Sequence, residues 1–134
     1  MQKPAIALLL VLLALSVNEG CSSRDPNLPN LGEVSGTVTL DEKPLPNVSV
    51  AFESQSGQVS FAKTDDEGHY ELIFRDGVIG AEVGRNTVRI ETVQDAPPGP
   101  GYRDPIPAKY NRDTKLVVEV AEGENTHDFV LSSK

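Results

Sequence analysis

Along most of the chain, apolar and polar residues alternate with a period of two. Val34, Gly36, Val38 and Leu40 are interleaved with Ser35, Thr37 and Thr39, the pattern of a strand with one buried face. Asp41 to Asn47 then breaks the run with Pro44 and Pro46, which cannot donate to a ladder. Val48, Val50 and Phe52 alternate with Ser49, Ala51 and Glu53 as a second strand, and Val59, Phe61 and Ala62 mark a third beyond the Ser54–Gly57 turn. Asp65-Asp66-Glu67-Gly68 reads as a tight turn. Its glycine is free to take positive φ, and Asp65 can cap it through its side chain. Gly36, inside a strand, predicts a bulge or a close backbone approach. Tyr70, Leu72 and Phe74 point one way from a fourth strand, and Gly77, Gly80 and Gly84 punctuate a loop around Val78 and Ile79. Thr87 to Val93 forms a fifth strand, and Leu116, Val118 and Val120 belong to a sixth. Ala121 to Asn125 turns the chain into a seventh strand, Thr126 to Ser132, burying Phe129 and Leu131. Seven short strands with no helical period predict an all-β fold, a two-sheet β-sandwich.

The first 20 residues follow another rule. Thirteen of them are hydrophobic, with Lys3 near the start and an uncharged apolar run from Ala5 to Leu15. That run is too short to span a bilayer, which takes about 20 residues of helix. A positive start, a short apolar stretch and small residues at the exit make a signal peptide, hence an exported protein. Cys21 follows at once. Here the segment resembles a bacterial lipoprotein signal, which implies that Cys21 is lipidated and becomes the new N-terminus. Gly20 fits the position before the cysteine, whereas Asn18 and Glu19 depart from the small and aliphatic residues of that pattern. Cleavage after Ser16, with Ala14 and Ser16 as the small pair, is the alternative and leaves Cys21 a free exported thiol. Ser22, unlike Asp, is not by this resemblance a signal for inner-membrane retention. A multiply acylated cysteine supplies the more than one acyl chain that stable anchoring needs. Residues 21–32 carry Pro26 and Pro29 and no periodicity; an extended tether of this kind holds the next domain some 30 Å from the lipid. The organisation expected is a signal peptide at 1–20, a tether at 21–32 and a β-sandwich domain at 33–134.

Composition narrows the function. The net charge of −8 leaves no basic surplus for phosphates and argues against nucleic acid. The single cysteine excludes an intramolecular disulfide and a multi-cysteine zinc site. Beyond residue 20 only 38 of 114 residues are hydrophobic, so the domain is expected to bury nearly every Val, Phe and Leu.

Several motifs carry a resemblance. Val34-x-Gly36-x-Val38, Lys43-Pro44-Leu45-Pro46-Asn47-Val48-x-Val50-x-Phe52 and Thr64-Asp65-x-x-Gly68-x-Tyr70-x-Leu72 resemble the carboxypeptidase regulatory-like group. So do Gly80 to Ile90 and Pro107-Ala108-Lys109-Tyr110-Asn111, which are similar to segments of small lipoproteins common in planctomycete bacteria. The resemblance covers Glu33 to the C-terminus and implies a transthyretin-like (prealbumin-like) Greek-key sandwich. It implies an accessory domain rather than a peptidase.

Candidate chemistry is sparse. Asp65, Asp66 and Glu67 lack the ligand spacing of an EF-hand and read as a solvated acidic turn. His69 and His127 are 58 residues apart with no metal-binding motif around them. Hydroxyisourate hydrolases share the fold but end in Tyr-Arg-Gly-Ser, where this chain ends Leu131-Ser132-Ser133-Lys134. Adhesin repeats with isopeptide bonds take a lysine from the first strand, and Glu33 to Leu40 has none. No nucleophile–base pair or phosphate loop stands out, so no catalytic residue, metal or cofactor is expected.

The remaining stretch, Gln94 to Lys115, holds five prolines, two tyrosines and the basic residues Arg103, Lys109 and Arg112. Connections this long are functional or disordered more often than not, and tyrosines make good recognition anchors. Tyr102, Arg103, Lys109 and Tyr110 are therefore the candidate binding loop; the competing reading is a loop that merely crosses between sheets with Tyr110 packed inward. The function expected is a non-catalytic, membrane-anchored module of the cell envelope, facing the periplasm or cell surface and binding an envelope protein or glycan. The alternative is a structural spacer or subunit of an envelope assembly.

Overall fold

The computed structural model describes residues 25–134, so the signal peptide and the lipidation expected at Cys21 lie outside the described residues. The alternating pattern folds into ten strand segments: β1 Leu31–Leu40, β2 Lys43–Pro44, β3 Val48–Ser54, β4 Val59–Lys63, β5 His69–Glu71, β6 Ala81–Glu82, β7 Gly84–Thr92, β8 Val117–Val120, β9 Gly123–Thr126 and β10 Phe129–Leu131. They form two sheets, an arrangement compatible with a β-sandwich. In the first, the long β1 pairs antiparallel with β2, β5 and β6 and parallel with β9 and β10. The second runs β4-β3-β7-β8, antiparallel throughout. Among the described residues the single helical turn is a 3-10 turn at Ala108–Tyr110.

The core follows the pleat. Val48, Val50 and Phe52 of β3 face inward and join Val88 and Ile90 of β7 and Val34 and Val38 of β1 in one core cluster. Phe129 joins the layers, stacking on Tyr70 and meeting Phe52 edge-on, each at a centroid distance of 6.1 Å.

The strand count exceeds the expected seven for local reasons. β2 and β6 are two-residue pieces, and β9 forms largely within the stretch read as the 121–125 turn, leaving β10 after a break at His127–Asp128. The register is the same on both sides of the break: Ser35 opposes Thr126 and Val38 opposes Phe129. Between them the Asp128 carboxylate takes the Thr37 N–H at 2.9 Å in place of a backbone carbonyl. Gly36 permits this close approach, since a Cβ there would lie 1.9 Å from the His127 carbonyl oxygen. The Tyr70 hydroxyl donates to that same carbonyl, and burial, with the Asp128 charge second, pushes the phenol's pKa up.

Three expectations are corrected. Pairing begins at Leu31, inside the stretch read as tether, where Leu31 opposes Glu82. The residues before it are not a free spacer: Val83 N–H donates to Asn30 O at 2.8 Å and Arg75 Nη2 to Asn27 O at 3.4 Å, so the 30 Å stand-off does not apply to this part. The 121–125 turn is shorter than expected, because Gly123 already pairs with Gly32. Finally, burial of Val, Phe and Leu stops short at Phe61, Val117 and Val130, and isoleucines are exposed as well. Phe61, Ile73, Ile79, Val117 and Val130 are all exposed. Phe61 belongs to a row on the outer sheet face, so the period-two rule buries its neighbours and not it.

The topology gives the molecule two ends, separated by the length of β3, about 20 Å. At the proximal end the chain comes in through Asp25–Asn30 beside the Ser54–Gln58 and Arg75–Val78 turns. At the distal end lie the connections 41–47, 64–68 and 93–115 and the C-terminal tail.

Candidate binding loop and the groove beside it

β7 is nine residues long, but β8 pairs only with Gly84 to Thr87. The remaining edge is sealed by the long proline-bearing loop. Val88 N–H donates to Leu116 O at 2.9 Å, Thr114 Oγ1 donates to Val88 O at 2.6 Å, and Asn111 Nδ2 donates to Ile90 O at 3.2 Å. Further out, Asp104 Oδ1 accepts from Thr92 Oγ1 at 2.7 Å and from Ile106 N–H at 2.9 Å. Ile106 itself is 2% exposed and belongs to the core. An edge that would otherwise offer unpaired backbone groups is thus capped by side chains and an apolar plug.

The loop's candidate residues divide into two pairs. Tyr110 is half-buried against the core, and its hydroxyl accepts from Ser132 N–H at 3.0 Å. Lys109 Nζ lies 5.1 Å from the Tyr110 ring centroid and donates to the Lys134 carbonyl at 2.8 Å. These two residues fasten the loop to the C-terminal tail. Tyr102 and Arg103 sit on the other limb, both exposed, Tyr102 at 45%. Among the described residues no hydrogen bond or cation–π contact joins the two pairs. Lys109 and Tyr110 thus serve the crossing between sheets, whereas Tyr102 and Arg103 are exposed.

Asp104, Ile106, Asn111 and Thr114 were missed as the loop's fixings. One signal was available: Ile106 is the only branched aliphatic residue between Val93 and Leu116, held between Pro105 and Pro107. The polar fixings had no signal: Asn111 and Thr114 reach backbone carbonyls of β7, and Asp104 reaches the Thr92 hydroxyl at its end.

A second depression crosses the outer face of the first sheet, a groove of about 700 Å³ lined by Thr37, Lys63, Asp65, His69 and Asp128 among others. Thr37 Oγ1 lies 3.2 Å from His69 Nδ1, and His69 Nε2 lies 3.6 Å from the Glu67 carboxylate. A hydroxyl, an imidazole and an acid thus stand one after another in space, a juxtaposition that the spacing of the residues does not reveal. The electrostatics oppose nucleophilic use. Both His69 and Glu67 are mostly exposed, so water screens their interaction. The Thr37 N–H, the nearest donor for a developing oxyanion, is already taken by the Asp128 carboxylate, which repels negative charge there. The adjacent acidic turn is structural: Asp65 Oδ1 accepts N–H bonds from Glu67 and His69, both at 2.9 Å. The His69 amide, and then that of Glu67, hold the Asp65 carboxyl below its usual pKa range. His127 is placed elsewhere, its Nε2 3.2 Å from Glu119 O. Among the described residues no group of three or more His, Cys, Asp or Glu is placed to hold a metal ion.

No family model matches the chain, and no curated protein matches it.

Proposed function

We propose that the protein is a non-catalytic, lipid-anchored module of the cell envelope that presents its distal loop to an envelope protein or glycan. On this reading Cys21 carries the lipid and the domain is a transthyretin-like Greek-key sandwich of the carboxypeptidase regulatory-like kind. The observation that supports it best is the position of Tyr102 and Arg103. They are exposed on a loop pinned by the buried Ile106, at the end of the sandwich opposite the incoming chain. A protein held by its N-terminus offers that end to the surroundings. A rigid loop also binds with less entropy lost than a mobile one. An aromatic beside a guanidinium suits both a sugar ring and a protein surface.

A second reading, a structural subunit of an envelope assembly, draws on β8. This strand lies at the margin of its sheet and exposes Val117, which invites pairing with another strand.

Affinity capture from envelope extract separates the two. Recovery of one reproducible partner or glycan by the natural chain, lost with the Tyr102→Ala/Arg103→Ala variant, is the outcome expected. Capture unaffected by those changes, but lost with Val117→Lys, would favour the structural reading. Mass spectrometry of the mature protein tests the anchor directly, because an unmodified Cys21 would end it.

A further inference from the structure

Phe61 of β4 pairs antiparallel with Ile73, and Ile73 pairs with Ile79. Residues opposed in this way project from the same face. Phe61, Ile73 and Ile79, exposed by 55%, 46% and 48%, therefore stand in a row across three chain segments, within about 10 Å. Ala51, opposite Phe61 on β3, extends the row. Leu72 and Phe74, on either side of Ile73, point inward and are buried, so the core does not require the row. Lys63, Arg75 and Glu71 flank it, each two residues along the chain from a member, with Glu71 opposite Lys63 in the register. Glu53, on the same face, is paired with Arg89 at 2.8 Å.

The size of the patch limits what can cover it. Three half-exposed side chains offer on the order of 250 Å², far less than the roughly 800 Å² per partner of a stable interface. A free protein or a second copy would not be held by it. A surface to which the chain is already tethered would be, because the second contact is then intramolecular. The chain's course supplies that surface. Arg75, two residues beyond Ile73, holds Asn27 through its carbonyl, so the N-terminal segment leaves the domain beside this row. From Asp25 to Cys21 even a fully extended chain reaches only about 14 Å. We propose that the Phe61–Ile73–Ile79 row seats the domain on the phospholipid surface in which Cys21 is anchored, a step that rests on the lipid-anchor reading. Apolar side chains enter the headgroup boundary while Lys63 and Arg75 meet phosphates. The domain is then held by the outer face that carries β4, at the level of Ala51 midway along β3.

The chain contains no tryptophan, so Phe61→Trp places a single reporter in the row and Tyr102→Trp places one at the distal end. Each full-length chain is produced in a lipidating bacterium. The mature protein is reconstituted into vesicles of phosphatidylethanolamine and phosphatidylglycerol, with or without brominated acyl chains. The expected result is about a twofold or greater loss of Phe61→Trp emission in brominated vesicles and none for Tyr102→Trp. Ile79→Trp repeats the measurement on another strand should Phe61→Trp fold poorly. Vesicle-bound protein whose Phe61→Trp and Ile79→Trp emission ignores the bromine overturns the proposal and leaves the anchor intact. Protein that does not float with vesicles and carries an unmodified Cys21 overturns both. Protein whose row reporters shift to the blue with concentration, with no vesicles present, assigns the row to a second copy and overturns the membrane seat.

Discussion

The two ends of the sandwich solve the same problem, closing a layered structure, with opposite materials. The distal end is closed by covalent shape and an apolar plug. Gly68 turns at φ 79°, Pro44 and Pro46 shape the first connection, and Ile106 inserts from a loop between two prolines. Thr64 staples the connection, its Oγ1 donating to Leu45 O at 2.7 Å and accepting Val48 N–H at 3.0 Å. The proximal end is closed by a polar clasp: Glu82 accepts from Ser54 Oγ at 2.6 Å and Ser56 Oγ at 2.5 Å, while Asn86 Nδ2 reaches the Glu82 and Gly84 carbonyls. Beside that clasp, three large apolar side chains stay outside. The difference teaches that apolar character and burial are allotted separately here. The distal loop spends its one branched aliphatic residue on the core, whereas the outer face at β4 leaves Phe61, Ile73 and Ile79 on the surface.

Substitutions can break this contrast, and their effects should fall in a definite order. Gly68→Val should be the most damaging, about 3 kcal/mol or more, since the turn needs positive φ and a Cβ would lie 2.5 Å from the Val38 carbonyl oxygen. Urea unfolding measures it, and wild-type stability would remove Gly68 as the distal hinge. Ile106→Ala should cost about 2–4 kcal/mol for the cavity it leaves; a near-zero cost would mean that the loop only drapes over β7. Phe61→Ser, though it removes a larger side chain, should change stability by about 0.5 kcal/mol or less, as is usual for surface sites. A loss equal to that of Ile106→Ala would erase the distinction between the flanks. The smallest effect is expected from acid. The carboxyls of Asp41, bonded by Ser133 Oγ and N–H, and Asp65 titrate below their ordinary 3.8. Groups depressed in the folded state stabilise above their unfolded pKa and lose that contribution as pH falls through the folded value. Melting temperature should therefore decline mainly below about pH 4, and Asp41→Asn with Asp65→Asn should flatten that decline.

Legibility in the sequence tracked the range of the interaction. The Asp65–Gly68 turn was readable because cap, glycine and strand lie within five residues. The buried faces of β1, β3 and β7 were readable because alternation is local. The edge at Val88–Thr92 was not, since its cover comes from Asn111 and Thr114 through backbone carbonyls and from Asp104 through the Thr92 hydroxyl, contacts that no motif records. Of the candidate loop, length and proline content marked the segment, but the split between fastening Lys109–Tyr110 and exposed Tyr102–Arg103 depended on where the C-terminal tail runs. The groove pair Thr37 and His69 is 32 residues apart in sequence and became neighbours only through the pairing of β1 with β5.

By itself the sequence determined an all-β chain, the inward faces of its longer strands, the turn glycine and the site of the long loop. Each of these is a property of residues within a few positions of one another. Only the tertiary structure decided that the presumed tether docks on the domain, that Ile106 is core, and that Phe61, Ile73 and Ile79 line up on one surface. Those outcomes depend on which distant segments share a sheet, and sheet neighbours are chosen by the summed packing of the whole core.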